Sequence, residues 1–264
     1  MSSAPANQRP LRTAIVTGAG MGPGGLGRGI AAGLALGQQM NVLLADADDS
    51  VEQAAHELRQ QLGEAGAARI AHFVGDLSSE ATVQSMVDSA VARFGGVDVL
   101  VNNAGGGVIR PFLEHDAQSL QTTIARNLWT TLWCCHKALP LMVAQGHGRI
   151  VNIGADSLRT GIPGHAAYNA AKGGVIGLTA GLARDWAHLD ITINTVSPCV
   201  INSGRFQERL RTDPQLAAEF VRVVPKGRAA EISEVVDLVC FLARKETAFI
   251  TGQDFSVNGG SAMP

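Results

Sequence analysis

Short β-rich runs of apolar residues alternate along the chain with longer helical stretches. Runs rich in Val, Ile and Leu, bounded by turn residues, are typical of buried strands. The predicted strands are residues 12–17, 41–46, 69–74, 97–101, 149–153, 191–196 and 254–257. The predicted helices are residues 26–38, 50–62, 79–94, about 116–145, 166–188 and 231–243.

This alternation predicts parallel βαβ units with right-handed crossovers. The strands are apolar throughout, as expected when helices cover both faces of a sheet. We therefore expect an α/β protein with a single doubly wound, mostly parallel, seven-stranded sheet. No linker or repeat divides residues 11–264, which we interpret as one domain after a disordered tail at residues 1–10. Residues 202–226 break the alternation and are predicted to form a substrate lid above the carboxyl edge of the sheet.

Composition excludes several classes of protein. Hydrophobic residues make up 46% and charged residues 17% of the 264 residues, which is enough apolar material for a large core. The net charge is −2 and no basic cluster is present, so nucleic acid is not an expected partner. No apolar run approaches the roughly 20 residues of a membrane span, and residues 1–10 lack the apolar segment of a signal peptide. We expect a cytoplasmic protein with a small-molecule substrate.

Four cysteines, Cys134, Cys135, Cys199 and Cys240, offer no metal-binding pattern. Their spacing matches no zinc motif, and an adjacent pair does not easily supply two tetrahedral ligands. So few cysteines in a chain of this length do not indicate a disulfide framework. We expect reduced, buried thiols and no metal.

A glycine-rich segment, T-G-A-G-M-G-P-G-G-L-G-R-G at residues 17–29, follows the first predicted strand. Glycines let the backbone approach a pyrophosphate, and the helix that follows offers free N–H groups at its N-terminus. The alternative is a merely flexible loop. We predict a dinucleotide site formed by Gly18, Gly20, Gly25, Leu26 and Gly27.

Asp46 ends the second predicted strand, where a carboxylate can accept hydrogen bonds from the adenosine ribose and repel a 2′-phosphate. No Lys or Arg precedes Gly25 in the glycine loop to bind that phosphate. Both features favour NAD over NADP. The alternative is a solvated surface carboxylate, since Asp48 and Asp49 lie next to it.

Tyr168, the chain's one tyrosine, and Lys172 lie four residues apart on a predicted helix and therefore share a face. A free phenol has a pKa of about 10, too high for a base at neutral pH. An ammonium group about 4 Å from the phenolate would stabilise it by about 4 kcal/mol at an effective dielectric constant of 20. We expect Lys172 to lower the pKa of Tyr168, which would then accept the proton of an alcohol.

These motifs together resemble the short-chain dehydrogenase/reductase family, over residues 12–260. The family's T-G-x-x-x-G-x-G pattern is matched by Thr17, Gly18, Gly25 and Gly27, although residues 19–24 make the loop longer than the family's three. Which of Gly20, Gly22 and Gly24 contacts phosphate therefore stays open. The family's N-N-A-G and Y-x-x-x-K motifs occur at residues 102–105 and 168–172, and P-C-V-I-N-S at residues 198–203 stands for P-G-x-I-x-T.

The resemblance implies a Rossmann fold, a nicotinamide cofactor and roles for further residues. Asn127 corresponds to the catalytic asparagine that holds a water in the proton relay, and Lys172 to the lysine that also holds ribose hydroxyls. The remaining cofactor contacts that it implies are Asp76, Leu77, Asn103, Ala104, Gly105, Ile201 and Ser203. The helices at residues 120–143 and 166–188 resemble those that pair between subunits, which implies a homotetramer or homodimer.

One departure concerns the family's serine, which polarises the substrate oxygen from a position 13 residues before the tyrosine. That position holds Ala155, and the nearest hydroxyl belongs to Ser157. Either Ser157 replaces it, or the site works without a serine, or position 155 carries a substitution. We favour Ser157, which requires the chain to turn after the fifth strand. Asp156 is suited to help such a turn, because Asp side chains readily bond to nearby backbone groups.

The substrate is less well defined. Residues 102–106 and 131–136 resemble dehydrogenases of cis-dihydrodiol carboxylates, whereas residues 153–157 resemble relatives acting on acyl thioesters. We expect an NAD-dependent oxidoreductase of a secondary alcohol, in the first place a cyclic cis-dihydrodiol or hydroxy acid. The alternatives are a 3-oxoacyl or hydroxyacyl thioester enzyme, or a catalytically weak NAD-binding sensor or scaffold.

Cations near the predicted lid leave open whether the substrate is an anion. An arginine there could bind an anionic substrate through a bidentate contact. The alternative is a set of solvated charges balanced by Glu208, Asp213 and Glu219. The cations are Arg205, Arg209, Arg211, Lys226 and Arg228.

Overall fold

Seven parallel strands form one sheet in the computed structural model, which describes residues 10–20 and 25–263. The predicted tail, apart from Pro10, lies outside the described residues, as do Gly22 and Gly24 of the glycine loop. The strands are β1 Thr13–Thr17, β2 Asn41–Asp46, β3 Ile70–Val74, β4 Val99–Asn102, β5 His147–Ile153, β6 Asp190–Pro198 and β7 Asp254–Val257.

The strand order β3-β2-β1-β4-β5-β6-β7 confirms the predicted doubly wound sheet. Each pair of neighbouring strands is parallel, for example Ile15 beside Leu43 of β2 and Leu100 of β4. The order reverses between β1 and β4, which opens a crevice at their carboxyl ends, where ligands of this fold class bind.

Helices cover both faces of the sheet. The helices are α1 Leu26–Ala32, α2 Ser50–Ala67, α3 Glu80–Phe94, α4 Ala117–Ile124, α5 Thr130–Gln145, α6 Ser157–Thr160, α7 Ala166–Trp186, α8 Gly204–Thr212, α9 Pro214–Arg222 and α10 Ile232–Leu242. Short 3₁₀ turns occur at Phe112–Glu114 and Lys245–Thr247.

The observed helices differ from the predicted ones in several places. The predicted helix at residues 26–38 becomes a π turn at Gly33–Gly37, and a second π turn, Ala125–Trp129, interrupts the predicted helix at residues 116–145. Helix α2 continues past residue 62 across a kink at Gly63, whose φ is +67°. Residues 202–226 contain α8 and α9, packed against each other.

The core consists of two layers because successive strand residues face opposite sides. Ala14 and Val16 of β1 face the layer formed with α1, α2 and α10. Ile15 faces the other layer, formed with α3, α5 and α7. Among the described residues, no helix combines the length and apolar character needed to cross a membrane.

Candidate active site

The loops after β1 and β4 are joined by hydrogen bonds at the crevice. The hydroxyl of buried Thr17 accepts from the backbone N–H groups of Asn103 at 3.0 Å and Ala104 at 2.9 Å. The Asn103 amide donates to the carbonyls of Thr17 and Gly18 at 3.0 and 2.9 Å. Gly18 has φ of +64°, and a β-carbon on it would lie 2.7 Å from the Cα of Ala104. A larger residue at position 18 therefore does not fit.

Asp46 holds the glycine loop from the neighbouring strand. Its Oδ2 accepts from the Gly20 N–H at 2.9 Å, and its Oδ1 accepts from the Asp48 N–H at 3.3 Å. The side chain is buried at the end of β2 rather than solvated. The carboxylate is therefore fixed in direction at the edge where a ribose is expected. Gly27, in the first turn of α1, packs against the Gly18 carbonyl.

The other predicted cofactor residues lie at the same edge of the sheet. Asp76 accepts from the Ser78 N–H at 2.9 Å in an exposed turn, and Leu77 is buried beside it. Ile201 pairs with Ala230 in an isolated parallel bridge. Ser203 caps α8 by accepting from the Phe206 N–H at 3.4 Å.

Tyr168 and Lys172 project from the first turns of α7, as their spacing predicts. The Lys172 ammonium lies 5.8 Å from the centre of the Tyr168 ring and donates to the Ile153 carbonyl at 2.7 Å. Lys172 is buried, and burial lowers its pKa to about 8.

The expectation that Lys172 lowers the pKa of Tyr168 is wrong for the protein's own groups. Burial raises the pKa of Tyr168 to about 12, and the cation that opposes this shift is Arg205. The phenolate loses more by leaving water than it gains from the nearby charges. At neutral pH Tyr168 therefore holds its proton and is a proton donor.

Asn127 lies in the π turn between α4 and α5, behind the loop after β4. Its Oδ1 accepts from the Gly106 N–H at 3.1 Å, and its amide donates to the carbonyls of Gly106 at 3.2 Å and Thr123 at 2.8 Å. A β-carbon on Gly105 would lie 2.7 Å from this Oδ1. Asn127 thus fixes the loop that lies beside Lys172. Single π turns of this kind are common at functional sites.

The chain turns after β5, as the Ser157 hypothesis requires. Strand β5 ends at Ile153, and α6 begins at Ser157. The Ser157 hydroxyl donates to Asn169 Oδ1 at 2.6 Å, and the Asn169 amide donates to the Ser157 carbonyl at 3.1 Å. Both Ala155 and Ser157 line the cavity described below.

The expected role of Asp156 in this turn is wrong. Its side chain makes no capping bond to α6 and instead accepts from Ser256 Oγ at 3.2 Å and Asn258 Nδ2 at 3.1 Å. Asp156 thus ties the turn to β7 and to the residue that follows it. Contacts so distant in sequence leave no local signal.

A cavity of about 510 Å³ lies between these loops and the lid segment, residues 202–226. The predicted site residues that line it are Gly18, Gly25, Leu26, Asn103, Gly105, Ser157, Tyr168, Lys172, Ile201 and Ser203. Those that do not line it are Gly20, Gly27, Asp46, Asp76, Leu77, Ala104 and Asn127. Except for Asn127, these latter residues lie at the carboxyl ends of β1 to β4 or on the segments that follow these strands, where the adenosine half of a dinucleotide is expected.

Several lining residues were not predicted. His165 and Phe220 form an edge-to-face pair at 5.9 Å, and His165 contacts the Tyr168 ring in the same manner at 6.0 Å. His165 lies three residues before Tyr168, a helical spacing that could have indicated it. Phe220 is 52 positions beyond Tyr168, on α9, and only the packing of the lid segment brings it here.

All four cysteines are free thiols. Cys134 and Cys135 are buried as expected, and burial raises the pKa of Cys135 to about 12. Cys199 and Cys240 are half-buried, which corrects the expectation for these two. Across residues 10–20 and 25–263, no group of three or more His, Cys, Asp or Glu side chains could hold a metal ion.

Known proteins resemble the whole chain. A family model described as enoyl-(acyl carrier protein) reductase matches residues 20–262. The chain is 50% identical to 2,3-dihydroxy-2,3-dihydro-p-cumate dehydrogenase of Pseudomonas putida F1, over 100% of both chains. It is 34% identical to 1,6-dihydroxycyclohexa-2,4-diene-1-carboxylate dehydrogenase of Pseudomonas putida, over 94% of this chain and 92% of the relative. The crystal structure of levodione reductase matches with a TM-score of 0.87 and 28% identity, over 96% of this chain and 98% of that chain.

The buried ammonium of Lys172 predicts a pH-dependent stability. Its pKa is about 8 in the folded chain against an ordinary value of 10.5, so the unfolded chain binds more protons between these pH values. The free energy of unfolding contributed by this group therefore rises with pH from about 8 to 10.5. Relative to Lys172→Met, the wild type should gain up to about 3 kcal/mol over this window.

Denaturant unfolding of both proteins at several pH values from 7.5 to 10.5 measures this difference. Thr179→Val is the matched control, because it weakens the attachment of the same helix without removing a titratable group. Its pH slope should equal that of the wild type. A constant offset between wild type and Lys172→Met over the whole range would contradict the prediction.

Proposed function

The chain belongs to the short-chain dehydrogenase/reductase family of nicotinamide-dependent oxidoreductases, and we propose that it is an NAD-dependent dehydrogenase of a cyclic cis-dihydrodiol. The observation that carries the proposal is the pairing of Tyr168 and Lys172 on the wall of a cavity of about 510 Å³. That volume lies within the range of about 300–1,000 Å³ that is usual for small-molecule sites. The relatives named for dihydrodiol oxidation support the choice of substrate.

The residues around the crevice fit a nicotinamide cofactor. Gly18 and Gly25 expose backbone without side chains to the cavity. The Asn103 amide holds this loop in place by donating to the Gly18 carbonyl. Lys172 donates one hydrogen bond to Ile153 and has further N–H groups for ribose hydroxyls. Glycine backbone beside a dinucleotide is the arrangement that close approach to a pyrophosphate requires.

During oxidation Tyr168 accepts the proton of the substrate hydroxyl. A bound nicotinamide would supply the acceptor for the hydride that leaves the carbon bearing this hydroxyl. Burial raises the pKa of Tyr168 to about 12, so the phenol of the protein alone is protonated and can donate its proton in the reverse direction. Oxidation requires the phenolate, which cations stabilise, and Arg205 acts in this sense.

Ser157 supplies the hydroxyl that polarises the substrate oxygen in this proposal. It lines the cavity from the first turn of α6, and its bond to Asn169 fixes its direction. To donate to a substrate the hydroxyl must rotate away from Asn169, and a hydroxyl rotor can make this change. Asn127 holds the loop at Gly106 and, in this proposal, also takes the family's role in the proton relay.

We further propose NAD as the cofactor. Asp46 is fixed by the Gly20 N–H at the end of β2 and faces the place where the adenosine ribose is expected. The same carboxylate can accept hydrogen bonds from the ribose hydroxyls, and its negative charge repels a 2′-phosphate.

A second candidate function is reduction of an acyl thioester, which the description of the matching family model favours. A catalytically weak sensor or scaffold is the third, supported by Ala155 at the usual serine position.

We also propose assembly as a homotetramer or homodimer, which light scattering would measure. The exposed Trp129, stacked on Trp133 at 5.3 Å beside α5, supports a partner surface there.

Replacement of the base tests the reaction. Tyr168→Phe removes the hydroxyl and keeps the ring, so turnover of a cis-dihydrodiol should fall by about 10²–10⁴-fold. Binding of NAD, followed by protein fluorescence, should stay within threefold. Wild-type assays with an acyl thioester and with several cis-dihydrodiols separate the candidate functions. A variant with more than a third of wild-type turnover would show that Tyr168 is not the base.

Cofactor choice is tested by assaying one substrate with both nucleotides. Asp46 should give at least a tenfold higher kcat/KM with NAD than with NADP, because two negative charges would otherwise face each other. Asp46→Asn keeps an acceptor for the Gly20 N–H but removes the charge, so the preference should narrow. Equal or better activity of the wild type with NADP would exclude NAD as the preferred cofactor.

The serine question needs three variants. Ser157→Ala should lower turnover by about 10²-fold, in line with the loss of one donor to a developing oxyanion. Ala155→Ser should change it little. Asn169→Ala is the matched control, because it breaks the same hydrogen bond and leaves the Ser157 hydroxyl in place. Equal losses in Ser157→Ala and Asn169→Ala, or a harmless Ser157→Ala with an activating Ala155→Ser, would make Ser157 structural.

A further inference from the structure

Three polar side chains follow one another along the wall of the cavity. Lys172 and Tyr168 lie on α7, His165 directly precedes this helix, and all three line the cavity. Spacings of four and three residues place side chains on one face of a helix. The Lys172 ammonium lies 5.8 Å from the centre of the Tyr168 ring, and the His165 ring lies 6.0 Å from it. The proposed function uses Lys172 and Tyr168 and leaves His165 without a role.

A hydrogen bond of His165 shows which of its ring nitrogens carries the proton. Nδ1 lies 2.9 Å from the carbonyl oxygen of Pro163, and because a carbonyl oxygen only accepts, Nδ1 is the donor. In the neutral ring Nε2 then holds the lone pair and is an acceptor. Within the described part of the chain, Nε2 has no hydrogen-bond partner. His165 therefore brings an unused acceptor to the wall of the cavity.

The place of His165 is fixed by its neighbours. Its ring makes edge-to-face contacts with the rings of Tyr168 and Phe220, with interplanar angles of 79° and 87°. The carbonyl of Gly164, the preceding residue, accepts from the Arg110 N–H at 3.2 Å. The side chain of His165 makes no capping bond to α7, so the helix does not need it in order to begin. A ring held in this way is a fixed binding group rather than a mobile surface side chain.

Two other polar side chains of the wall cannot accept a further proton. Lys172 is an ammonium, which has donors and no acceptor. The carboxylate of Asp156 already accepts from three side chains on β7 and after it, which are Ser256 at 3.2 Å, Asn258 at 3.1 Å and Ser261 at 2.5 Å. A hydroxyl that enters the cavity has a proton to donate, and Nε2 of His165 can accept it.

The substrate of the proposed function carries two such hydroxyls. In a cis-diol they stand on adjacent carbons and on the same side of the ring, so one face of α7 can contact both. Tyr168 takes the proton of the hydroxyl that is oxidised. The second hydroxyl then lies near one neighbour of Tyr168, either Lys172 towards the inner end of the cavity or His165 towards the lid segment. Of these two, only His165 can accept a hydrogen bond.

Resting on the proposed function, we infer that Nε2 of His165 accepts a hydrogen bond from the second hydroxyl of the diol, the one that is not oxidised. His165 is then a specificity-determining residue, which distinguishes a vicinal diol from a ring alcohol with a single hydroxyl. A site that binds a substrate hydroxyl disfavours the analogue that lacks it, because the polar group of the protein is then left without a partner.

Two ring alcohols that differ by one hydroxyl test the inference: the cis vicinal diol of cyclohexane, and cyclohexanol. The wild type should prefer the diol by at least tenfold in kcat/KM. His165→Phe keeps a ring beside Tyr168 but removes the acceptor. It should lower kcat/KM for the diol by about tenfold, mainly through KM, and change that for cyclohexanol by less than threefold.

Two further variants separate the acceptor from other effects of the substitution. His165→Gln places an amide oxygen near the position of Nε2 and should recover most of the preference for the diol. Both variants at position 165 lose the bond to Pro163, so that bond cannot explain a difference between them. His188→Phe makes the same chemical change at an exposed position just beyond the other end of α7, and it should change neither value of kcat/KM.

Equal losses of His165→Phe on both alcohols would overturn the inference, because they would assign His165 to the orientation of Tyr168 or to the packing of Phe220. An unchanged preference in His165→Phe would overturn it as well, and so would a His165→Gln variant that discriminates no better than His165→Phe.

If the wild type oxidises neither alcohol, calorimetric titration with the diol decides the inference, and the assays with cis-dihydrodiols decide the proposed function separately. Binding to the wild type and to His165→Gln that is clearly tighter than binding to His165→Phe supports the inference. Equal affinity in all three proteins, or no binding to the wild type, overturns it.

Discussion

A line of buried hydrogen bonds fixes helix α7 on the sheet, and the candidate site depends on that attachment. The Asn102 amide donates to Asn152 Oδ1, and the Asn152 amide donates to Thr179 Oγ1, both at 2.8 Å. Thr179 is also bonded to Thr195 of β6, at 2.8 Å. These side chains span β4, β5, β6 and α7 in the interior, where an unmatched polar group costs about 1–3 kcal/mol. Sliding α7 by one turn would leave several of them unmatched.

The same attachment sets the height of the reacting groups. Thr179 lies on α7 seven residues after Lys172, which is about two helical turns and therefore the same face. Lys172 completes the line by donating to the carbonyl of Ile153, the last residue of β5. Tyr168 is one further turn towards the carboxyl edge, where the strands end and the loops begin. Its position is thus determined by polar contacts in the core rather than by contacts in the cavity.

Sequence reasoning reached the strands and the glycine loops because their signals are local. An apolar run such as residues 41–46 can be recognised in the sequence without knowing which residues it contacts. The same is true of a glycine such as Gly18, which has a positive φ in the structure. The π turn at Asn127 has no such signal, and the hydrogen bond of Asn127 to Gly106 joins residues 21 positions apart. The pairing of Ser157 with Asn169 and the reach of Arg205 towards Gly106 likewise depend on packing between distant segments. Burial raises the pKa of Tyr168, and counting the charged residues near it in the sequence cannot predict this effect.

Arg205 links the lid segment to the strength of the base. In the protein alone its charge lowers the pKa of Tyr168 against the effect of burial, which raises that pKa to about 12. Its guanidinium reaches the loop after β4, where a β-carbon on Gly106 would lie 3.3 Å from it. Arg205 lies on α8, so a shift of that helix would move its charge relative to Tyr168 and change the stability of the phenolate. The strength of the base therefore depends on the position of α8 as well as on the attachment of α7 to the sheet.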